Sequence, residues 1–354
     1  MIGPYGNTWF DTPGINRLAS ESLLLEQCIA DTPEARHHLR SILYGKHVCD
    51  QADEQVHLAD LIGSTGTQTI LVTSSQDLVP SITDPFDEVI EVDLPAATGL
   101  AAELESTRMA TFFVAAIDVI RESRPPTTVL LDCPDLTRYW DAPYPYRLRL
   151  ADSEDPPPSE TFLAPSLQFN AATDDPDQLF DLQLAYGGQT VLLDQLLEIL
   201  LSEIGNSNWA DSALFCLTAM RSYPLGEHGV VGFYRPIVHV ESIHVPLLIR
   251  WPRPQRIFGR SQQLIQPGSL YPLLSDWHGV ASEVAPHETV FPEISKTQFL
   301  PTCATSALIT ACQCDESDHA AIQTHAWKYI SGPASHLYVR PDDYWEFNDV
   351  ASLC

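Results

Sequence analysis

An α/β fold, a largely parallel sheet covered by helices on both sides, is predicted by three features of this sequence. Short apolar runs of strand length recur along it, helical apolar spacing lies between several of them, and turn-forming residues mark the boundaries. With 354 residues and 44% hydrophobic composition, the chain can bury a large core. The change of rhythm near residue 302 divides it into a main α/β domain, 1–301, and a small α+β piece, 302–354.

The first helix opens at Asp11-Thr12-Pro13, where a capping side chain and a proline suited to the first turn precede Ile15, Leu18 and Ala19 at helical spacing. Strands are expected at 69–73, 88–92, 128–132, 212–218 and 245–249. Cys28 falls in a further strand near the start. Long helices are expected over 100–122 and 179–204; in the second, Leu182, Leu193, Leu196, Leu197, Leu200 and Ile204 share one face. Between 151 and 177 the composition turns to Asp, Glu, Pro and Ser, which supplies no apolar burial, so this stretch is a surface excursion. After residue 302, β-like pieces at 325–330 and 336–339 flank Ser331-Gly332-Pro333.

Forty-seven acidic residues against nineteen basic ones give a formal net charge of −28, which opposes binding to nucleic acid. Of the eight cysteines, Cys133 and Cys216 lie in apolar runs that read as buried strands. Cys28, Cys49 and Cys354 are scattered, and Cys303, Cys312 and Cys314 lack the paired spacing of a structural zinc site. No apolar run is long enough to span a membrane. Met1 leads into a Gly-Pro-Tyr-Gly turn instead of a basic and then apolar leader, so the sequence as it stands reads as soluble and cytoplasmic.

Four segments in order resemble the sulfatase family of the alkaline phosphatase superfamily. Tyr5-Gly6-Asn7 with Thr12-Pro13-Gly14-Ile15-Asn16-Arg17-Leu18-Ala19 is similar to its amino-terminal signature. Ala210–Phe215 followed by Leu225-Gly226-Glu227-His228-Gly229 resembles its helix, strand and Gly-Glu-His-Gly loop. Glu241 with His244–Pro252 resembles its Val-Pro-Leu strand, and Trp327-Lys328-Tyr329 with Leu337-Tyr338 and Pro341-Asp342-Asp343 resembles its carboxyl-terminal end. The resemblance implies an alkaline-phosphatase-like sheet with helices on both faces.

It also implies a Cys-x-Pro-Ser-Arg nucleophile motif about ten residues before a Thr-Gly-Arg turn. With Tyr44-Gly45-Lys46 as that turn, the nucleophile position is Ala35, which has no attacking atom; Cys28 lies seven residues earlier. The calcium site implied by the family needs an Asp pair at the end of a strand upstream of Tyr5. It also needs an Asp-His or Asp-Asn pair at what are here Met220 and Arg221. A thioether is a poor ligand for a hard cation, and a guanidinium about 4 Å away would repel a divalent ion by roughly 8 kcal/mol at an effective dielectric near 20. The basic element expected after the 69–72 strand reads Thr73-Ser74-Ser75-Gln76. The lysine expected after the Gly-Glu-His-Gly loop is Phe233, and the histidine expected after the 128–131 strand has no counterpart in Cys133–Thr137.

The expected function is therefore that of a sulfatase-like protein without activity, with no metal cofactor, binding an anionic small molecule or a sulfated glycan. Ligand-binding candidates are Arg36, His37, His38 and Arg40, a basic knot in an acidic chain, together with Arg221 and His228. Two alternatives remain: an active sulfuric or phosphoric ester hydrolase rearranged around His37 and His228, and a partner-binding scaffold with a relic pocket. Structural readings compete for the same residues. The basic knot could be a solvated helix start, Glu227 and His228 could serve only their loop, and Asp342–Glu346 reads as a turn with Trp345 packing inward.

Overall fold

The structure, a computed structural model, describes all residues except 51–54, 76, 135, 234–236, 254, 256, 281–307, 312–318, 333 and 354. In chain order the elements are α1 (Pro13–Ser20), β1 (Leu23–Cys28), α2 (Ala35–Tyr44), α3 (Leu58–Gly63), β2 (Gln68–Thr73), α4 (Pro80–Thr83) and β3 (Glu88–Glu91). There follow α5 (Arg108–Glu122), β4 (Thr127–Asp132), α6 (Tyr144–Leu148), β5 (Leu167–Gln168), α7 (Pro176–Asn206), β6 (Phe215–Thr218), β7 (Val230–Val231) and α8 (Val240–Ile243). The chain then forms β8 (Leu247–Arg250), β9 (Gly259–Ile265), α9 (Leu270–Trp277) and the carboxyl-terminal strands β10 (Leu308–Ala311), β11 (Ala320–Gln323), β12 (Trp327–Ser331) and β13 (His336–Val339).

The fold is α/β, with parallel and mixed sheets flanked by helices. β3, β2 and β4 form a parallel sheet in that order, and β6, β8, β1 and β9 form a second. In the second, β1 runs parallel to β9 and antiparallel to β8, so the large sheet system is mixed instead of uniformly parallel. β9 was not foreseen: Gly-Arg-Ser-Gln-Gln-Leu-Ile has no apolar alternation over most of its length, and pairing with β1 makes it a strand. β10 to β13 form a separate antiparallel meander.

Successive residues of a strand face opposite sides of a sheet, and β1 and β8 divide their side chains accordingly. Leu24 and Leu248 join one core with Ile15 and Leu18 of α1, Phe112 and Ala116 of α5, and Leu192, Leu196 and Leu200 of α7. Leu25, Leu247 and Ile249 join the opposite core with Ile42 of α2 and Leu270 and Leu273 of α9. β4 and β6 depart from the buried-strand expectation. Beyond Thr127 their residues are only part-buried, Cys216 included, and Cys133 just after β4 is the same. Both strands border a cavity of about 1260 Å³.

Long-range polar contacts set the local structure of the amino-terminal signature. The Tyr5 hydroxyl accepts from the Leu247 N–H at 2.7 Å and donates to the Leu25 carbonyl at 3.0 Å, joining β8 to β1. The chain can leave Tyr5 because Gly6 takes the left-handed φ of 97°. The cap of α1 is also tertiary. No side chain next to α1 caps it; Asp194 of α7 accepts from the N–H groups of Gly14 (3.0 Å) and Ile15 (2.7 Å). Another buried side chain straps the acidic excursion: Arg147 donates to the carbonyls of Trp140, Ser159 and Thr161.

Because Asp194 satisfies two buried N–H groups at a helix amino terminus, Asp194→Ala should destabilise the protein by about 2–3 kcal/mol. Chemical denaturation measures this, and a loss below about 0.5 kcal/mol would show that water replaces the carboxylate at no net cost.

Candidate functional site

The cavity wall is built where β1 passes into α2 and where β4 and β6 end. Ala35 is the first residue of α2 and Arg36 the second, and both line the cavity. No side chain caps this helix, so its first-turn N–H groups and the positive end of its dipole face the region around Ala35. The methyl group at Ala35 offers nothing that can attack an ester.

His38 lies one turn into α2 and is fully buried. Its Nδ1 donates to the Met220 carbonyl at 2.7 Å, tying α2 to the segment after β6. Desolvation outweighs the nearby Asp31 charge and lowers its pKa, so it is neutral at pH 7 and is not the near-neutral titrating group considered from the sequence. Asp31 is held in turn by Ser41 Oγ at 2.6 Å and the Val48 N–H at 2.8 Å. His37 pairs with Glu34 at 2.6 Å. Arg36, with 64% of its side chain exposed, lies 3.3 Å from Asp77, a pair of small energetic weight. Arg40 is exposed and lies over the Tyr44 ring.

Arg221 lines the cavity three residues beyond β6. Its Nη2 donates to Thr137 Oγ1 at 2.7 Å, and its guanidinium carbon lies 3.9 Å from the centroid of the Phe233 ring. A cation over an aromatic face is attracted by the ring quadrupole. Two positions where the family resemblance implied a metal ligand and a lysine are thus occupied by residues that stack on each other. Asp132, at the end of β4, accepts from Thr73 Oγ1 at 2.7 Å. Of the six candidates named from the sequence, Arg36 and Arg221 line the cavity, whereas His37, His38, Arg40 and His228 do not.

The chemistry at Met220 and Arg221 does not fit a calcium ion. Met220 packs its thioether among apolar residues of α2 and α9, and its carbonyl is engaged by His38. Arg221 places a permanent positive charge on the cavity wall. Among the described residues, no group of three or more His, Cys, Asp or Glu side chains is arranged to hold a metal. Cys303, Cys312, Cys314 and Cys354 lie outside the described residues.

His228 belongs to a second polar cluster, which joins the Gly-Glu-His-Gly loop to the carboxyl-terminal sheet. Its Nδ1 faces Glu241 Oε1 at 2.7 Å and its Nε2 faces the Glu346 carbonyl at 3.0 Å. Desolvation opposes its charge, but the Glu241 carboxylate and the Glu346 carbonyl outweigh that and raise the pKa. His239 stacks on it at 3.8 Å and bonds Glu346 Oε2 at 2.9 Å; burial and the His228 charge hold its pKa down. Lys328, fully buried, bonds Glu346 Oε1 at 2.7 Å, and Arg340 approaches the same oxygen at 3.9 Å. Against a large desolvation cost, Lys328 and His239 hold the Glu346 carboxyl below its ordinary range. The sequence reading missed Glu346 because it placed Trp345 inward; instead Trp345 is 50% exposed, and Glu346, at a left-handed φ of 62°, turns into the interior. The useful signal was Lys328, a lone lysine in an apolar alternation, which demands a buried carboxylate.

Neither a family model nor a curated relative matches the sequence. Solved structures do match the fold. Phosphonate monoester hydrolase of Agrobacterium radiobacter superposes with a TM-score of 0.75 at 15% identity, over 99% of this chain and 88% of that one. A protein solved with its substrate D-glucosamine-2-N,6-O-disulfate gives 0.76 at 14%, over 99% and 90%. A 2-O GAG sulfatase gives 0.71 at 14%, over 99% and 84%. The fold is therefore the one shared by sulfatases and phosphonate monoester hydrolases of the alkaline phosphatase superfamily.

Two predictions follow from the Glu346 cluster. Lys328→Met, which leaves the buried carboxylate short of a cation, should cost about 3–5 kcal/mol in denaturant unfolding. Since the His228 pKa is raised by folding, its stabilising contribution is complete below pH ~6.5 and fades as pH rises through the higher folded value. His228→Gln should therefore lose more stability relative to wild type at pH 6 than at pH 8.5. A difference independent of pH would mean the ring is neutral in the folded protein.

Proposed function

We propose that this chain is a sulfatase-like domain that does not hydrolyse esters and that binds an oxyanion in the cavity below α2. The carrying observation is that Ala35, at the head of α2, and Arg221 both line this cavity. An anion there would meet the helix amino terminus, Arg36 and the positive charge of an arginine already oriented by Thr137 and Phe233. Arg221 would take over the electrostatic role of a metal, since a guanidinium neutralises a tetrahedral oxyanion and cannot lose its proton. The neighbour solved with a disulfated glucosamine makes a sulfated sugar the first ligand class to test. A hydrolase rearranged around His37 and His228 has less support, because neither residue lines the cavity and each is engaged elsewhere.

Purified protein should hydrolyse aryl sulfates no faster than a boiled control. Turnover that survives purification and disappears in His37→Ala would establish the rearranged hydrolase instead. EDTA should leave the melting temperature unchanged; a drop of several degrees would place a metal in the protein.

Sulfate should stabilise wild type more than chloride at equal ionic strength, by roughly 2.7 kcal/mol at a hundredfold excess over the dissociation constant. Because sulfate also stabilises proteins by exclusion from their surface, Arg221→Ala is the control. Equal gains in the two proteins would leave the cavity without an anion site.

A further inference from the structure

The hydrogen bonds of the two imidazoles in the Glu346 cluster fix how many protons they share. His228 Nε2 faces the Glu346 carbonyl at 3.0 Å, and its Nδ1 faces Glu241 Oε1 at 2.7 Å. A carbonyl and an ionised carboxylate only accept, so this ring needs a hydrogen on each nitrogen and is an imidazolium. His239 Nδ1 donates to Glu346 Oε2 at 2.9 Å, a bond that asks for one hydrogen and leaves the ring neutral. The rings stack with centroids 3.8 Å apart and 14° between their planes. A charge on His239 would therefore stand directly against the charge on His228.

The surrounding groups pull in both directions. Glu241 of α8 and Glu227 of the Gly-Glu-His-Gly loop favour the charge on His228. Glu346 faces His239, but Lys328 of β12 and Arg340, after β13, already share that carboxylate. Tyr338 of β13 packs edge-on against His239 and stays neutral, since burial raises its pKa to about 12. The Met1 ammonium acts on Glu227 from the far side of the loop.

Glu346 serves both rings, its carbonyl bonding His228 and its Oε2 bonding His239, while Phe347 covers the other face of His228 at 5.2 Å. Tyr344 and Trp345, the residues just before Glu346, line the cavity. The stack thus fastens one edge of the cavity. Discharging His228 would set two acceptors against each other at Glu241, and charging His239 would set two cations face to face; either change loosens Glu346.

We propose that the stacked His228–His239 pair holds a single positive charge and latches the carboxyl-terminal meander, with the Tyr344–Trp345 edge of the cavity, to the Gly-Glu-His-Gly loop, loosening when the pair carries two charges or none. Folding lowers the His239 pKa, so its contribution is present above pH ~6.5 and is lost as pH falls. Folding raises the His228 pKa, so its contribution is present below pH ~6.5 and is lost as pH rises through the folded value. The latch is tightest between these limits.

Hydrogen exchange over 327–331 and 336–339, expressed as protection relative to an unstructured chain so that the intrinsic pH dependence cancels, reads the attachment in the 354-residue protein. Protection should peak near pH 6.5 and fall about threefold or more by pH 5 and again by pH 8.5. His239→Gln, which keeps a donor for Glu346 and cannot be charged, should lose the acid limb, and His228→Gln should lose the alkaline limb. Ring NMR of the histidines, assigned with the same variants, reads the charge directly. Near pH 6.5 His228 should be the charged ring and His239 the neutral one, and His239 should titrate at higher pH in His228→Gln than in wild type. Flat protection, an acid limb that persists in His239→Gln, or a His239 midpoint unmoved by His228→Gln overturns the proposal. If a variant does not fold, the wild-type rings decide, and two neutral or two charged rings near pH 6.5 overturn it.

Discussion

Backbone amides and carbonyls removed from water must find partners, and the architecture of this protein depends on how that demand is met. Within each sheet the ladders meet it. At helix ends and loops, single long-range side chains do: Asp194 for α1, Tyr5 across β1 and β8, and Arg147 for the acidic excursion. These contacts cross large sequence separations, so they form only once the layers are assembled. The edges of β4 and β6 are where the same demand passes into the cavity.

The residues that the sequence resemblance aligns with the family's metal and lysine positions form a packed set. The Met220 carbonyl receives His38, the Met220 side chain fills apolar space, and Arg221 lies on Phe233 while it bonds Thr137. Each of these side chains supports another. His38, a buried neutral imidazole with its Nδ1 proton given to a carbonyl, acts as a strut.

A cluster of buried charged and polar groups joins the carboxyl-terminal meander to the Gly-Glu-His-Gly loop. Glu346 sits fully buried among Lys328, His239 and Arg340, while His228 bonds its carbonyl. Such a cluster contributes little net stability compared with an apolar one, yet loss of one member strands the others in a low dielectric. Its geometric demands set the register of this end of the chain, and the left-handed backbone at Glu346 is the local cost of pointing the carboxylate inward.

Apolar periodicity and turn chemistry determined, from the sequence alone, the α/β class, the two long helices and most central strands, because those elements arise from local patterns. Position-by-position comparison with the family motifs gave the expectation that Ala35, Met220, Arg221 and Phe233 stand at replaced positions, since absence of a functional group is visible in the residue type itself. Only the tertiary structure decided which basic residues reach the cavity. Arg36, His37, His38 and Arg40 are near neighbours in sequence, but one turn of α2 sends His38 into the core and leaves Arg36 on the wall. The Asp194 cap, the β9 strand and the inward Glu346 were likewise beyond local reading. Each depends on a partner far away in the chain, and the free energy that selects it exists only after folding has brought the two together.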